Sequence, residues 1–290
     1  MKDENATIIE AWNTVLFEKF TRFKHVLTTG LSVHSDELLG REPFRAGSRV
    51  LDVGCGFGDS TLAIARQVSG GGAVTGVDCA ENFIRASERA ARDAGAGNTS
   101  FRVADVQTGQ LGGPYDHAFS RFGTMFFNLP GAALRNVRRA LTPGGKLSMI
   151  VWRRRQDNPW MHEAELTVKA IVPAVSHDET DQVHCGPGPF SMSGADLVSE
   201  LLQGAGFRRI GFERFDAEIC IGQNLTEAVD FAMALGPAGE AIRLAGDEGL
   251  RRKDDVVAGL KETLRKFERP DGAVSAGSSV WFVTAENPAS

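Results

Sequence analysis

Val50-Leu51-Asp52-Val53-Gly54-Cys55-Gly56-Phe57-Gly58-Asp59 is the stretch on which the fold turns. Arg49 to Val53 is a short, mostly apolar run that stops at Gly54, as a strand buried between two layers does. Glycines at 54, 56 and 58 let the backbone turn tightly and bring bare peptide N–H groups against a ligand. Ser60 to Val68 then reads as a helix, closed by Ser69-Gly70-Gly71-Gly72. Strand, glycine loop and helix in that order open a βαβ unit.

Outward from this loop the alternation continues. Ala73 to Val77 is a strand ending at Asp78, and Phe83, Ile84, Ser87, Ala90, Ala91 and Ala94 form the narrow stripe of a helix that Gly95 stops. Phe101 to Ala104 is a strand ending at Asp105, and His117 to Ser120 is another. Ala133, Leu134, Val137 and Leu141 mark a helix ended by Pro143-Gly144-Gly145, and Lys146 to Trp152 is the most apolar strand. Such alternation implies a parallel sheet covered on both faces.

After Trp152 the rhythm breaks into a polar connection with one short helix near Glu163 to Ile171. Ser193-x-x-Asp196 signals a helix through Leu197, Leu201 and Leu202, followed by a strand from Phe207 to Phe215 that can run on to Ile221. Helices at Leu225 to Leu235 and Asp254 to Phe267, a Pro270-Asp271-Gly272 turn and a strand from Val280 to Ala285 complete the chain. At the other end Thr7 and Glu10 have capping-box spacing. Ile8, Ile9, Trp12, Val15, Leu16, Phe20 and Phe23 then recur as an amphipathic helix that must dock somewhere.

Composition narrows the function. A net charge of −5, with 42% hydrophobic and 24% charged residues, is ordinary for a globular domain and disfavours nucleic acid as a partner. Cys55, Cys79, Cys185 and Cys220 are scattered without a CxxC pair, no secretory segment opens the chain, and no apolar run is long enough for a membrane span. A cytoplasmic protein with free thiols and no membrane partner is the expectation.

The loop also speaks about its ligand. The position three after Gly56 is Asp59 rather than the third glycine of a dinucleotide fingerprint, and a pyrophosphate sits poorly between Asp52 and Asp59. A ligand with an ammonium and a sulfonium tolerates both acids, which favours S-adenosylmethionine over NAD. Asp78, at the carboxyl end of its strand, can accept both ribose hydroxyls, and Asp105 can accept from an adenine amino group. An NAD-dependent oxidoreductase and a non-catalytic S-adenosylmethionine-binding protein stand as the alternatives.

Val50 to Ala65, Val77-Asp78, Ala104-Asp105 and Leu141-Thr142-Pro143-Gly144-Gly145 resemble the ordered motifs of class I S-adenosylmethionine-dependent methyltransferases. The run Phe119 to Phe127, and Trp152-Arg153 followed by Asn158-Pro159-Trp160, are similar to the small-molecule branch related to ubiquinone- and menaquinone-biosynthesis methyltransferases. The resemblance is good over 47–160 and fades beyond Met161 until the final strand. It implies an α/β fold: a doubly wound, seven-stranded, mostly parallel Rossmann-like sheet with helical lid insertions. The implied cofactor is S-adenosylmethionine, the product S-adenosylhomocysteine, and the partner a small acceptor methylated on oxygen, nitrogen or carbon. By position, Gly54, Gly56 and Gly58 would line the methionine part, with Asp52 near its ammonium. Asp78 would hold the ribose with Cys79 against the adenine, Asp105 and Val106 would bind the adenine edge, and Ser120 and Arg121 would border the methyl group. Cys79-Ala80 departs from the Ile or Leu, then Ser, that relatives often carry.

The expected organisation is a helical cap over 1–46, a cofactor-binding core over 47–152, a substrate or lid connection over 153–193, the core continued over 194–216, a helical lid insert over 217–278, and a final strand with tail over 279–290. The cap and the insert are expected over the carboxyl edge of the sheet, which would bring Trp12 to the cofactor. The oligomeric state stays open, with a homodimer allowed for. In-line methyl transfer asks for alignment and dryness, and needs a base only if the acceptor must lose a proton. His162, His177 and His184 in the connection, and His25 and His34 ahead of the loop, are weak candidates, so no catalytic residue and no metal ligand is assigned. Phe122, Phe126, Phe127, Trp152 and Trp160 are candidates for an acceptor wall, and Arg153-Arg154-Arg155 reads as a solvated edge.

Overall fold

A computed structural model of the chain describes residues 4–172 and 186–289; His177, His184 and Cys185 lie outside the described residues. The strands are β1 (Arg49–Val53), β2 (Ala73–Asp78), β3 (Thr99–Val103), β4 (Tyr115–Arg121), β5 (Leu141–Trp152), β6 (Arg208–Gly222) and β7 (Val274–Glu286). They form one seven-stranded sheet in the order β3-β2-β1-β4-β5-β7-β6. The first five run parallel, and β7 lies antiparallel to both β5 and β6. Strand order reverses between β1 and β4, the kind of switch point where open sheets bind ligands.

Burial explains why some strands were plain in the sequence. Val50 to Val53 in β1 are all buried, so they read as an apolar run broken only by Asp52, whereas edge strand β3 is largely exposed and correspondingly polar. Among the sheet's helices, α4 (Asp59–Gln67), α5 (Glu81–Asp93), α6 (Pro130–Ala140) and α8 (Ala195–Ala205) follow the strands, and α5 buries Phe83, Ile84, Ser87 and Ala91 as one stripe.

Four features differ from expectation. The N-terminal segment is not one helix capped at Thr7. It comprises α1 (Glu4–Ala11), a π-turn (Trp12–Leu16), α2 (Phe17–Arg22), a second π-turn (Val26–Gly30) and α3 (Ser32–Arg41). Each π-turn contains a threonine, Thr14 or Thr28, whose hydroxyl donates to the carbonyl four residues back and loosens the helical ladder. The strands β6 and β7 pair from Arg208↔Glu286 to Gly222↔Val274, deep inside the segment read as insert. Between them lie α9 (Leu225–Ala234), α10 (Gly236–Leu244), α11 (Gly246–Arg251) and α12 (Lys253–Arg265) instead of two helices, because Gly236-Pro237 starts α10 rather than ending the run. α7 (Pro159–Ile171) likewise begins on a proline, earlier than Glu163.

Gly58 shows how tightly the glycine loop is bound to its surroundings. Its φ is +80°, and an added Cβ would meet Ser87 Cβ at 3.0 Å and Oγ at 3.2 Å. Gly58→Ala is therefore expected to lower stability by roughly 1–3 kcal/mol, from left-handed strain together with the α4–α5 clash. Urea denaturation checks this, and an unchanged midpoint would remove Gly58 from the packing argument.

Candidate active site

At the carboxyl ends of β1, β2 and β4 the chain forms a cleft lined by the loop residues Gly54, Cys55, Gly56, Phe57, Asp59 and Ser60, by Asp78 and Cys79, by Asp105 to Gln107, and by Arg121. The roof is the N-terminal segment, through Asn5, Ile8, Ile9, Trp12 and Phe20. That segment is held by a small aromatic cluster separate from the main core. Phe57, Ala80 and Phe83 are buried there under Trp12, Phe17 and Phe20, with Trp12 and Phe20 ring centroids 5.2 Å apart and Phe17 and Phe83 5.1 Å apart.

Asp78 is positioned by the loop itself: its Oδ2 accepts from Gly56 N–H at 3.1 Å and its Oδ1 from Ala80 N–H at 3.0 Å. Burial raises its pKa above the usual carboxylate value. Asp105, at the end of β3, accepts from Gln107 N–H at 2.9 Å and Gln107 Nε2 at 3.2 Å on Oδ1, and from Thr108 Oγ1 at 2.8 Å and Asn5 Nδ2 at 2.7 Å on Oδ2.

Three sequence candidates do not line the cleft. Gly58 faces Ser87 instead, because its backbone is turned into the α4–α5 contact. Ser120 is fully buried and donates to Val53 O at 2.8 Å, stitching β4 to β1 rather than bordering a methyl group. Asp52 is fully buried beneath the loop; its Oδ2 accepts from Ser60 Oγ at 2.7 Å and Thr61 Oγ1 at 2.6 Å, while Oδ1 has no partner. Burial pushes its pKa up to about 6. Ser60 does line the cleft, so its hydroxyl links Asp52 to the cleft wall. Gly54, Gly56, Asp78, Cys79, Asp105, Val106, Arg121 and Trp12 all line it. Arg121 pairs with Asp59 through Nη2, and its Nη1 is buried without a partner.

The sequence reading missed Asn5, Ser60 and Gln107 as cleft residues. Asp59-Ser60 directly after Gly58 was a usable signal, since the first turn of a helix after a glycine loop faces the ligand. Nothing local marks Asn5, which arrives from another part of the chain.

Beside the cleft is a larger chamber of about 1040 Å³. The two share Trp12, Phe20, Leu27, Leu31, Phe122 and Phe126 as common walls. Trp152, Trp160, Met161 and Phe231 carry the chamber onward to α10, with Trp152 stacked on Phe122 at 4.3 Å. Charged groups stand further along its wall, where buried Glu165 is held by Arg155 and Lys169. Thus α9, α10 and the N-terminal segment lie on the carboxyl edge of the sheet. All five aromatic candidates line one cavity or the other. The arginine run is not a plain solvated edge, since Arg153 is buried with its guanidinium 4.3 Å from the Trp281 ring centre.

No described histidine lines either cavity. His25 pairs with Glu227 at 2.9 Å. His34 is fully buried behind Phe122 and Trp152, bonded to Ser278 Oγ at 2.9 Å, and burial lowers its pKa to about 4, so it is a neutral packing group. Among the described residues no group of three His, Cys, Asp or Glu is placed to hold a metal, and no helix is long and apolar enough to cross a membrane.

Comparison with known proteins agrees with this geometry. Residues 50–145 match the family model described as a methyltransferase domain. Nocamycin O-methyltransferase of Saccharothrix syringae is 31% identical over 186 residues, covering 60% of this chain and 64% of that enzyme. Demethylmenaquinone methyltransferase of Porphyromonas gingivalis is 25% identical over 222 residues, covering 73% and 89%. Phosphoethanolamine N-methyltransferase 2 of Haemonchus contortus, solved with S-adenosylhomocysteine, shares the fold with a TM-score of 0.57 at 17% identity, covering 99% of this chain and 61% of that one. The oxidoreductase reading finds no support, and residues 50–145 carry a methyltransferase domain of the class I S-adenosylmethionine-dependent kind.

Proposed function

We propose that this enzyme methylates a largely apolar, ring-bearing small molecule that seats in the aromatic chamber. The carrying observation is the shared wall of Trp12, Phe20, Leu27, Leu31, Phe122 and Phe126 between cleft and chamber, which sets an apolar chamber directly beside the cofactor cleft. Two relatives, nocamycin O-methyltransferase and demethylmenaquinone methyltransferase, are named for small organic acceptors, in keeping with this reading.

The cleft fits S-adenosylmethionine by its own chemistry. Asp52 Oδ1 is an unmatched buried acceptor and Arg121 Nη1 an unmatched buried donor, and the amino-acid end of that cofactor brings an ammonium and a carboxylate. Ser60, polarised by Asp52, would receive the ammonium, and Arg121, steadied by Asp59, would hold the carboxylate rather than border the methyl group. Gly54 and Gly56 leave room for the chain of the ligand, Asp78 accepts the ribose hydroxyls, and Cys79 and Val106 flank the adenine. When bound, S-adenosylmethionine supplies a methyl group on a sulfonium that departs as a neutral thioether. The protein's part is to align the acceptor and keep water out; well-oriented approach lowers such barriers by roughly 7–11 kcal/mol. Trp12, Phe20 and Phe126 would do so at the shared wall.

An acceptor screen read by S-adenosylhomocysteine release tests the proposal, with Leu244→Glu as its control. Leu244 lines the chamber and is 41% exposed, so the fold tolerates the change. KM for an active acceptor is expected to rise about tenfold, from loss of an apolar contact and added charge desolvation, with S-adenosylhomocysteine affinity unchanged. An unaltered KM would move the acceptor elsewhere.

A further inference from the structure

Asp105, the strand-end acid assigned above to the adenine, already has its acceptor capacity filled. A carboxylate offers about four lone-pair sites, and Asp105 receives Gln107 N–H, Gln107 Nε2, Thr108 Oγ1 and Asn5 Nδ2. Gln107 and Thr108 are near neighbours in its own turn and travel with it. Asn5 comes from α1, a hundred positions away in sequence, and lines the same cleft. Its carbonyl in turn accepts from Gln107 Nε2 at 2.7 Å, so the carboxamide bridges both groups at this end of the cleft.

The N-terminal segment has a second polar tether. Asn82 donates to Asn13, N–H to Oδ1 at 2.9 Å and Nδ2 to the carbonyl at 2.7 Å. The same segment also carries the patch of Trp12, Phe17 and Phe20 on Phe57 and Phe83. The two tethers differ in one respect: Asn13 grips the start of α5, whereas Asn5 occupies an acceptor assigned to the ligand.

We infer that Asn5 is a competitive latch for the adenine site: its carboxamide holds α1 down on Asp105, and the amino group of the incoming cofactor takes its place. This rests on the S-adenosylmethionine reading of the cleft. The exchange trades one N–H donor for another on Asp105 Oδ2, so the carboxylate stays satisfied throughout while the Asn5 tether of α1 to Asp105 holds only when no adenine is present. Empty enzyme is thereby kept closed at the adenine end, and the cofactor meets a cost that Asn5 alone imposes.

The test compares Asn5→Ala with Asn13→Ala in the full chain, measuring calorimetric affinity for S-adenosylhomocysteine and for its inosine counterpart, which has a ring carbonyl in place of the amino group. Asn5→Ala is expected to bind S-adenosylhomocysteine about tenfold more tightly than wild type, the order set by removing one competing charge-assisted hydrogen bond. It should bind the inosine compound with no comparable gain. Asn13→Ala, which loosens the segment without freeing Asp105, is expected to bind both equally or less tightly. Equal or weaker S-adenosylhomocysteine binding by Asn5→Ala overturns the latch, as does an equal gain for both compounds or a matching gain in Asn13→Ala. Wild type that binds neither compound would instead overturn the cofactor reading itself. Circular dichroism and thermal melting confirm that each variant is folded.

Discussion

Asp78→Ala is expected to weaken S-adenosylhomocysteine binding by at least about a hundredfold. A carboxylate that accepts two ribose hydroxyls makes two charge-assisted hydrogen bonds, each worth roughly 1.5–3 kcal/mol, and 1.4 kcal/mol is a factor of ten. The substitution also releases Gly56 N–H, which Asp78 Oδ2 holds at 3.1 Å, so the loop loses its tether at the point where it meets the ligand. Asp78→Asn separates the two effects, because an amide oxygen can still accept from the backbone while the charge is gone; an intermediate loss is expected. Burial already raises the Asp78 pKa. Affinity should therefore fall on acidification at a higher pH than for an exposed aspartate, as the ionised acceptor is protonated. Calorimetry across pH measures this, with circular dichroism to verify the fold. Asp78→Ala binding within threefold of wild type would refute the ribose assignment.

The second large effect concerns stability. Asp52 has a pKa of about 6 in the folded protein against an ordinary 3.8, since burial opposes its charge more than Ser60 and Thr61 support it. The folded state therefore binds the proton more tightly than the unfolded chain. As pH rises from about 4 to about 6 this group withdraws stability, and above 6 the whole penalty of about 3 kcal/mol persists. Asn carries no charge and escapes the penalty. The stability of Asp52→Asn relative to wild type should thus improve by about 3 kcal/mol between pH 4 and pH 8, whatever the fixed cost of a buried amide. S-adenosylhomocysteine binding at pH 8 should weaken about tenfold, as the ammonium loses a charge behind Ser60. Urea denaturation at both pH values decides the matter: a difference that stays flat with pH would show that burial does not raise the Asp52 pKa. The group that costs stability here is the one that the ligand would repay, the pattern expected where a fold keeps an unmatched acceptor at a binding site.

How far the sequence could be read depended on how local each cause was. The β1 strand, the glycine loop and α4 were legible because burial on both faces and a tight turn each dictate residue type within a few positions. Asp78 and Asp105 were legible for the same reason, as acids closing short strands. Gly58 and Ser120, read as ligand contacts, stand outside the cleft lining. A glycine needed for packing against Ser87 and a serine needed to stitch β4 to β1 look the same in sequence as residues that touch a cofactor. The two π-turns escaped the reading because a hydroxyl bonded four residues back leaves the apolar period nearly unchanged.

By itself the sequence determined the sheet's alternating layers, the cofactor class and the reaction, since each follows from spacing within one βαβ unit or its repeats. Only the tertiary structure decided what covers the opening loop. There Asn5, Trp12 and Phe20 come from one end of the chain and Phe231 and α10 from the other, to roof a cleft and wall a chamber around Gly54 and Gly56. The physical reason is that such contacts are side chain on side chain between distant segments. Their geometry is set by the packing of Phe57 and Phe83 under the N-terminal segment and of Trp160 on Phe231, neither of which leaves a periodic trace in the order of residues.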